Sequence, residues 1–267
     1  MPAMPRSLFL LLLILLGLTG SALQAADNSA LSRIQERGAL VLGTSGNMPT
    51  MSQVDGSGEV SGFDIDLARV MAGMMGVRLD IELMPFDQLL PALESGRVDV
   101  VMSNMTITPQ RNLRVAFVGP YIVSGKCIVT KDRALAAVEQ SEDLNQATTR
   151  VAVLRGSTSV AVARELLPDA TLVEVDDYAD AVQLVADDAA NGMLTDYPIC
   201  LATLQANPGA GFVSIFSRLT YEPIGIALPA GDAQFINWTR NFLQRMQGTR
   251  GIEEFSQRWF GRKKLAD

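Results

Sequence analysis

The segment Ser103-Asn104-Met105-Thr106-Ile107-Thr108-Pro109-Gln110-Arg111 gathers hydroxyl, amide and guanidinium groups directly after an apolar run, Val98 to Met102. A guanidinium presents a planar fork of N–H donors that matches a carboxylate, so Arg111 is a candidate carboxylate binder. Gly156-Ser157-Thr158 follows another such run, Arg150 to Leu154. Glycine lets the backbone approach a ligand, and the free N–H groups at a helix start favour an anion. Asp196 closes a third run, Met193 to Thr195, and its carboxylate can accept hydrogen bonds from an ammonium group. Each residue also has a plainer reading. Arg111 reads as a surface arginine on a polar loop, Ser157 or Thr158 as an ordinary helix cap, and Asp196 as the N-cap of a helix starting near Pro198. Together they supply two anion-binding features and one cation-binding carboxylate, the complement of a zwitterion.

Composition removes several other chemistries. The 267 residues contain no histidine, which excludes Ser-His-Asp and Cys-His catalysis and any His-ligated metal. The formal charge of −7 leaves no electrostatic footprint for nucleic acid. Gly56-Ser57-Gly58-Glu59-Val60-Ser61-Gly62 lacks the dinucleotide-binding spacing. Asp176, Asp177, Asp180, Asp187 and Asp188 lack calcium-loop spacing and read as a solvated face. No metal and no cofactor is expected. Cys127 and Cys200 lie in apolar surroundings and either pair or remain two buried thiols.

The elements that must position these groups follow from periodicity. Ala39 to Thr44, Leu79 to Met84 and Val98 to Met102 read as strands. Val54 to Gly62 reads as a hairpin. A helix from about Asp64 turns Phe63, Leu67, Val70 or Met71, and Met74 to one face, and Asp87 can cap a second helix, with Phe86, Leu90 and Leu93 on its buried side. The methionines from Met71 to Met75 read as core. The pattern restarts with strands at Arg150 to Leu154, Leu172 to Val175 and Met193 to Thr195, and helices between them. Residues 131–149 between the units are polar and weakly patterned. Strands alternating with helices predict an α/β fold on parallel sheets, here as two lobes. Ligands in such sheets sit beyond the carboxyl ends of strands, where all three candidate segments fall. A further strand, Ile224 to Leu228, precedes two helices and a basic tail, Arg262-Lys263-Lys264.

The N-terminus reads as a secretory signal: Arg6, the apolar run Leu8 to Leu16, and small residues up to Ala25 and Ala26. The run falls short of the roughly 20 residues needed to span a bilayer. Residues 1–25 are expected to be removed on export.

Several stretches carry a family resemblance: Gly62-Phe63-Asp64-Ile65-Asp66-Leu67-Ala68, Leu90 to Val100, Met105 to Arg111, Gly156-Ser157-Thr158, Thr195-Asp196 and Arg258-Trp259-Phe260-Gly261. In order and spacing they resemble the periplasmic amino-acid-binding proteins of ABC importers, solute-binding family 3, from about Leu40 to Gly261. The resemblance implies a type II flytrap fold with two crossover strands, near Gly125–Val129 and Glu222–Leu228. Lobe one would comprise residues 27–125 and 225–267, and lobe two residues 126–224. It implies a monomer in the periplasm, an amino-acid ligand and an ABC permease as partner. Arg111 resembles the family's carboxylate-binding arginine. Thr106 and Asn104 resemble the loop positions at carboxylate and ammonium, Asn104 through its backbone carbonyl. Thr158, beside Ser157, resembles the lobe-two carboxylate contact, and Asp196 the ammonium-binding aspartate. Met48 stands where an aromatic ring usually covers the ligand, Ser45 where some binders of cationic amino acids carry an acid, and Phe86 on the opposite wall. These departures imply an uncharged ligand side chain. Two other roles share the fold: a ligand-sensing receptor, and an enzyme resembling cyclohexadienyl dehydratase. Such enzymes place a glutamate where this chain has Ser159-Val160.

Overall fold

Short apolar strands buried on both faces need helices on either side, and the chain supplies them twice. A computed structural model describes residues 29–133, 144–215 and 220–261. The signal segment, most of the polar stretch 131–149 and the basic tail lie outside the described residues.

Helix α1 (Ala30–Arg37) leads into β1 (Ala39–Thr44), and three short strands follow: β2 (Asn47–Met48), β3 (Ser52–Val54) and β4 (Val60–Ser61). These three form a separate antiparallel sheet. Then come α2 (Phe63–Met75), β5 (Arg78–Leu83), a 3-10 turn (Phe86–Gln88), α3 (Leu89–Glu94), β6 (Val100–Val101) and α4 (Pro109–Asn112). The next strands, β7 (Ala116–Ser124) and β8 (Lys126–Thr130), run almost continuously from one sheet into the other. The second unit is β9 (Arg150–Leu154), α5 (Thr158–Leu166), β10 (Thr171–Val175), α6 (Tyr178–Ala186), β11 (Gly192–Asp196), α7 (Tyr197–Ala206) and β12 (Val213–Ile215). Strand β13 (Glu222–Leu228) and helices α8 (Ala233–Gly248) and α9 (Gly251–Phe260) complete the order.

The first sheet has the order β5-β1-β6-β13-β7 and the second β10-β9-β11-β8-β12. In each, the first strand of the unit lies between the second and third, all parallel, and antiparallel strands extend the sheet. The two units thus repeat one pattern. The point where strand order reverses, between β1 and β6 and between β9 and β11, is where such sheets bind ligands. Among the described residues, no helix is long and apolar enough to cross a membrane.

Several local expectations shift. Helix α2 buries Phe63, Leu67 and Met71, but Met74 is exposed, so it does not belong to the buried face. Asp87 does not cap α3; it lies inside the 3-10 turn, which follows Pro85. Asp177 accepts from the Ala179 N–H at 2.7 Å as the cap of α6, and Asp176 pairs with Arg155 at 2.8 Å, so part of the acidic cluster has defined partners.

Cys127 on β8 and Cys200 on α7 form a disulfide across 73 residues of sequence, settling the choice left open by composition. Both are buried in the second lobe. Closing a loop of this length restricts the unfolded chain by about 4 kcal/mol on a chain-entropy account. Replacing both cysteines by alanine should lower the thermal midpoint by several degrees without abolishing folding. An unchanged midpoint under oxidising conditions would show that the link contributes no stability.

Candidate functional site

The candidate residues stand at the carboxyl ends of the inner strands. Ser45 follows β1, the loop from Ser103 to Thr108 follows β6, Gly156 to Thr158 follow β9, and Asp196 ends β11. The loop after β6 is stitched to the crossover strand: Ile107 N donates to Pro223 O at 2.7 Å and Gly225 N to Met105 O at 3.0 Å. A Cβ at Gly225 would lie 2.6 Å from Ile107 Cδ1, so glycine there admits the close approach. Gly156 has φ +71° and a Cβ there would meet Asp87 Cβ at 2.8 Å, so the close approach of these two segments requires a bare backbone.

Asp196 occupies the N-cap position of α7, yet its side chain makes no capping bond. It turns into the cleft instead. Lys126 Nζ donates to Asp196 Oδ1 at 2.7 Å, and Asn104 Nδ2 donates to Asp196 Oδ2 at 2.9 Å. Thr106 and Thr158 approach each other from opposite lobes, with hydroxyl oxygens 3.5 Å apart. Both donate to Glu222 Oε2, at 2.8 Å and 3.0 Å. Arg111 donates from Nη1 to Thr106 O at 2.8 Å and from Nη2 to Gly156 O at 3.1 Å. Its guanidinium lies 5.5 Å above the Phe86 ring, a cation–π arrangement.

The structure therefore brings Arg111, Thr106, Asn104, Thr158, Asp196 and Phe86 together. It places the other three residues differently. The Ser157 hydroxyl turns back to Leu154 O at 2.7 Å. Met48 is buried with its sulfur near the Ser103 hydroxyl, and Ser45 shares a hydrogen bond with that same hydroxyl at 3.0 Å. Ser45 also lines an inter-lobe cleft of about 1010 Å³ with Asn47, Gln53, Asp176, Tyr178 and Asn207. Asn47 Nδ2 reaches across to Asp176 O at 3.0 Å. Arg111, Thr106, Thr158 and Asp196 do not line this cleft.

Two charged residues of the site were missed from sequence: Lys126 and Glu222, both at crossover-strand starts and both buried. A lone lysine inside the apolar run from Ile122 to Val129 was the available signal, because an unpaired lysine is almost never buried. Burial raises the Asp196 carboxyl above the ordinary range, while Lys126 pulls it down and Glu222 pushes it up. Burial pushes Arg111 down to about 10, opposed by Asp196 and Glu222, so it stays cationic near neutrality. Among the described residues, no cluster could hold a metal ion.

Residues 40–262 match the sequence profile of the bacterial extracellular solute-binding proteins, family 3. The chain belongs to this family. It is 26% identical over 238 residues to the L-cystine-binding protein TcyJ of Escherichia coli K12, covering 88% of each chain. An ancestral amino acid-binding protein, a precursor of cyclohexadienyl dehydratase, is 36% identical with a TM-score of 0.80, covering 87% of this chain and 99% of that one. An ancestral arginine-binding protein bound to arginine is 32% identical with a TM-score of 0.79, covering 84% and 99%. The fold is that of the type II periplasmic binding proteins.

Beneath the site, Asp64 is fully buried; it accepts from Asn104 N at 2.7 Å and from the Tyr121 hydroxyl at 2.6 Å. Burial outweighs both bonds and raises its carboxyl from 3.8 to about 7. Between these values the folded protein holds a proton that the unfolded chain releases. Asp64 therefore makes stability fall as pH rises through that window, by up to about 4 kcal/mol. The thermal midpoint of the wild type relative to Asp64→Asn should decline from pH 4 to 7 and level off above. A pH-independent difference would show that Asp64 ionises normally.

Proposed function

We propose that this protein is the periplasmic receptor of an ABC importer and captures one amino acid between its lobes. The observation that carries this reading is the convergence of three polar residues from both lobes on one carboxylate and one ammonium, with Asn104 and Arg111 beside them. Thr106 and Thr158 bind the carboxylate of Glu222, Asp196 binds the ammonium of Lys126, Asn104 braces Asp196, and Arg111 stands over Phe86 beside them. A free amino acid presents the same two groups. The hinge would fall at residues 125–126 and 224–225, with closure around the ligand creating the surface a permease recognises. The receptor acts as a monomer.

An uncharged ligand side chain fits the cleft best. Ser45 offers a hydroxyl already bonded to Ser103. Among the acids lining the cleft, Asp176 is paired with Arg155 and Asp177 caps a helix. A buried cationic side chain would lack a free carboxylate, and an unpaired buried charge is costly. Cystine, glutamine or another neutral amino acid should therefore raise the thermal midpoint of refolded, ligand-stripped protein more than arginine or lysine does. Arginine or lysine emerging as the strongest ligand would refute the selectivity.

Arg111→Ala should weaken binding of the best ligand by about 3–5 kcal/mol, the cost of burying a carboxylate without its partner. Circular dichroism should show an unchanged fold. Near wild-type affinity in calorimetry would remove Arg111 from the ligand contacts.

A further inference from the structure

The head-group site is already full. The Glu222 carboxylate sits between the Thr106 and Thr158 hydroxyls, and the Lys126 ammonium sits on Asp196. Lys126 Nζ and Glu222 Oε2 are 3.8 Å apart, so the two groups form a pair of their own. Thr220 Oγ1 holds the other Glu222 oxygen at 2.9 Å. Both side chains are almost completely buried. With Arg111 and Asp196 the cluster holds two positive and two negative groups, and its formal charge sums to zero without any ligand. The Asn104 Oδ1 atom is buried without a hydrogen-bond partner, the one member of the cluster left unsatisfied.

We propose that Glu222 and Lys126 are specificity-determining residues that act as an internal stand-in for the ligand's head group. The inference rests on the amino-acid reading above and adds to it what the ligand must displace. A carboxylate entering between Thr106 and Thr158 has to evict Glu222, and an ammonium reaching Asp196 has to evict Lys126. Evicting Glu222 alone parts it from the Lys126 ammonium while Lys126 keeps Asp196, and evicting Lys126 alone leaves the buried Glu222 carboxylate with hydroxyl partners only. A zwitterion replaces both at once, whereas a carboxylic acid without an amine, or an amine without a carboxylate, replaces only one. The pair thus selects for ligands that carry both charges. It also bridges the lobes when no ligand is present, since Glu222 joins Thr106 of the first lobe to Thr158 of the second, and Asp196 joins Lys126 to Asn104.

The test compares wild type with the double variant Glu222→Gln/Lys126→Gln, which keeps the length at 222, shortens the side chain at 126 by one atom and removes both charges together. Circular dichroism and thermal unfolding establish that the variant folds; Glu222→Gln alone serves if the double variant does not. The first readout needs no ligand. Small-angle scattering of ligand-stripped wild type should match the closed structure, and the variant should show a larger radius of gyration. An open wild type, or identical profiles for both, overturns the proposal. The second readout is calorimetry with L-glutamine, glutaramic acid, which lacks the α-amine, and 4-aminobutanamide, which lacks the carboxylate. Wild type should bind glutamine and neither analogue. The variant should bind glutamine about tenfold more tightly and bind both analogues measurably. Weaker glutamine binding by the variant would overturn the proposal, because Lys126 and Glu222 would then be direct ligand contacts. If no amino acid binds either protein, the receptor reading fails, and the scattering alone decides whether the pair holds the cleft closed.

Discussion

Charges removed from water must find partners, and the base of this cleft is organised around that constraint. Asp196, Glu222 and Lys126 are each almost wholly buried, and Arg111 lies at their edge. An isolated buried ion is costly, whereas a well-bonded cluster of balanced charge is tolerated. Each member comes from a different element: helix α4, the starts of β8 and β13, and the end of β11. Their pairing therefore requires both sheets and both crossover strands to be in place together. Two threonines and an asparagine complete the cluster by donating to its carboxylates.

The scaffold answers this constraint with rigidity at the strand ends. The Ser103–Thr108 loop is tied to β13 by backbone hydrogen bonds and supported from below by Asp64, which holds Asn104 N. Tyr121, from a crossover strand, closes the far side of Asp64 and stacks its ring on Phe63 at 5.7 Å. The residue that braces Asp196 is thus anchored in the core of the first lobe. A carboxylate kept partly protonated near neutrality is the consequence of placing that anchor so deep.

The charged cluster and the open cleft, which the proposed function assigns to head group and side chain, occupy different places. The charged cluster is closed, while the wider cleft opens beside Ser45, Asn47, Asp176 and Tyr178. Met48 and Phe86 are buried and do not line this cleft. Tyr178 lines that cleft, and burial, with the Asp196 charge adding to it, pushes its hydroxyl well above the ordinary tyrosine range. It therefore marks the passage from one region to the other. In the proposed reading, selectivity for the side chain depends mainly on residues lining the open cleft, and selectivity for the two terminal charges on the closed cluster.

The sequence alone determined the α/β class, the repeated strand–helix pattern and the polar loops at strand ends, because these rest on local periodicity and on residue type. It also marked Arg111, Thr158 and Asp196 as candidates, since polar groups following apolar strands are conspicuous, whereas Thr106 and Asn104 were singled out only by the family resemblance. The exposure of Met74 and the 3-10 turn at Asp87 escaped it, because a one-residue shift in helical phase lies within the tolerance of pattern reading. Only the tertiary structure decided the partners. Cys127 meets Cys200 across 73 positions, and Lys126 meets Asp196 and Glu222 across 70 and 96, distances over which no local rule operates. A lysine in an apolar strand announced that a charge would be buried; the identity of its counter-charge depended on which strand ends the two sheets bring face to face.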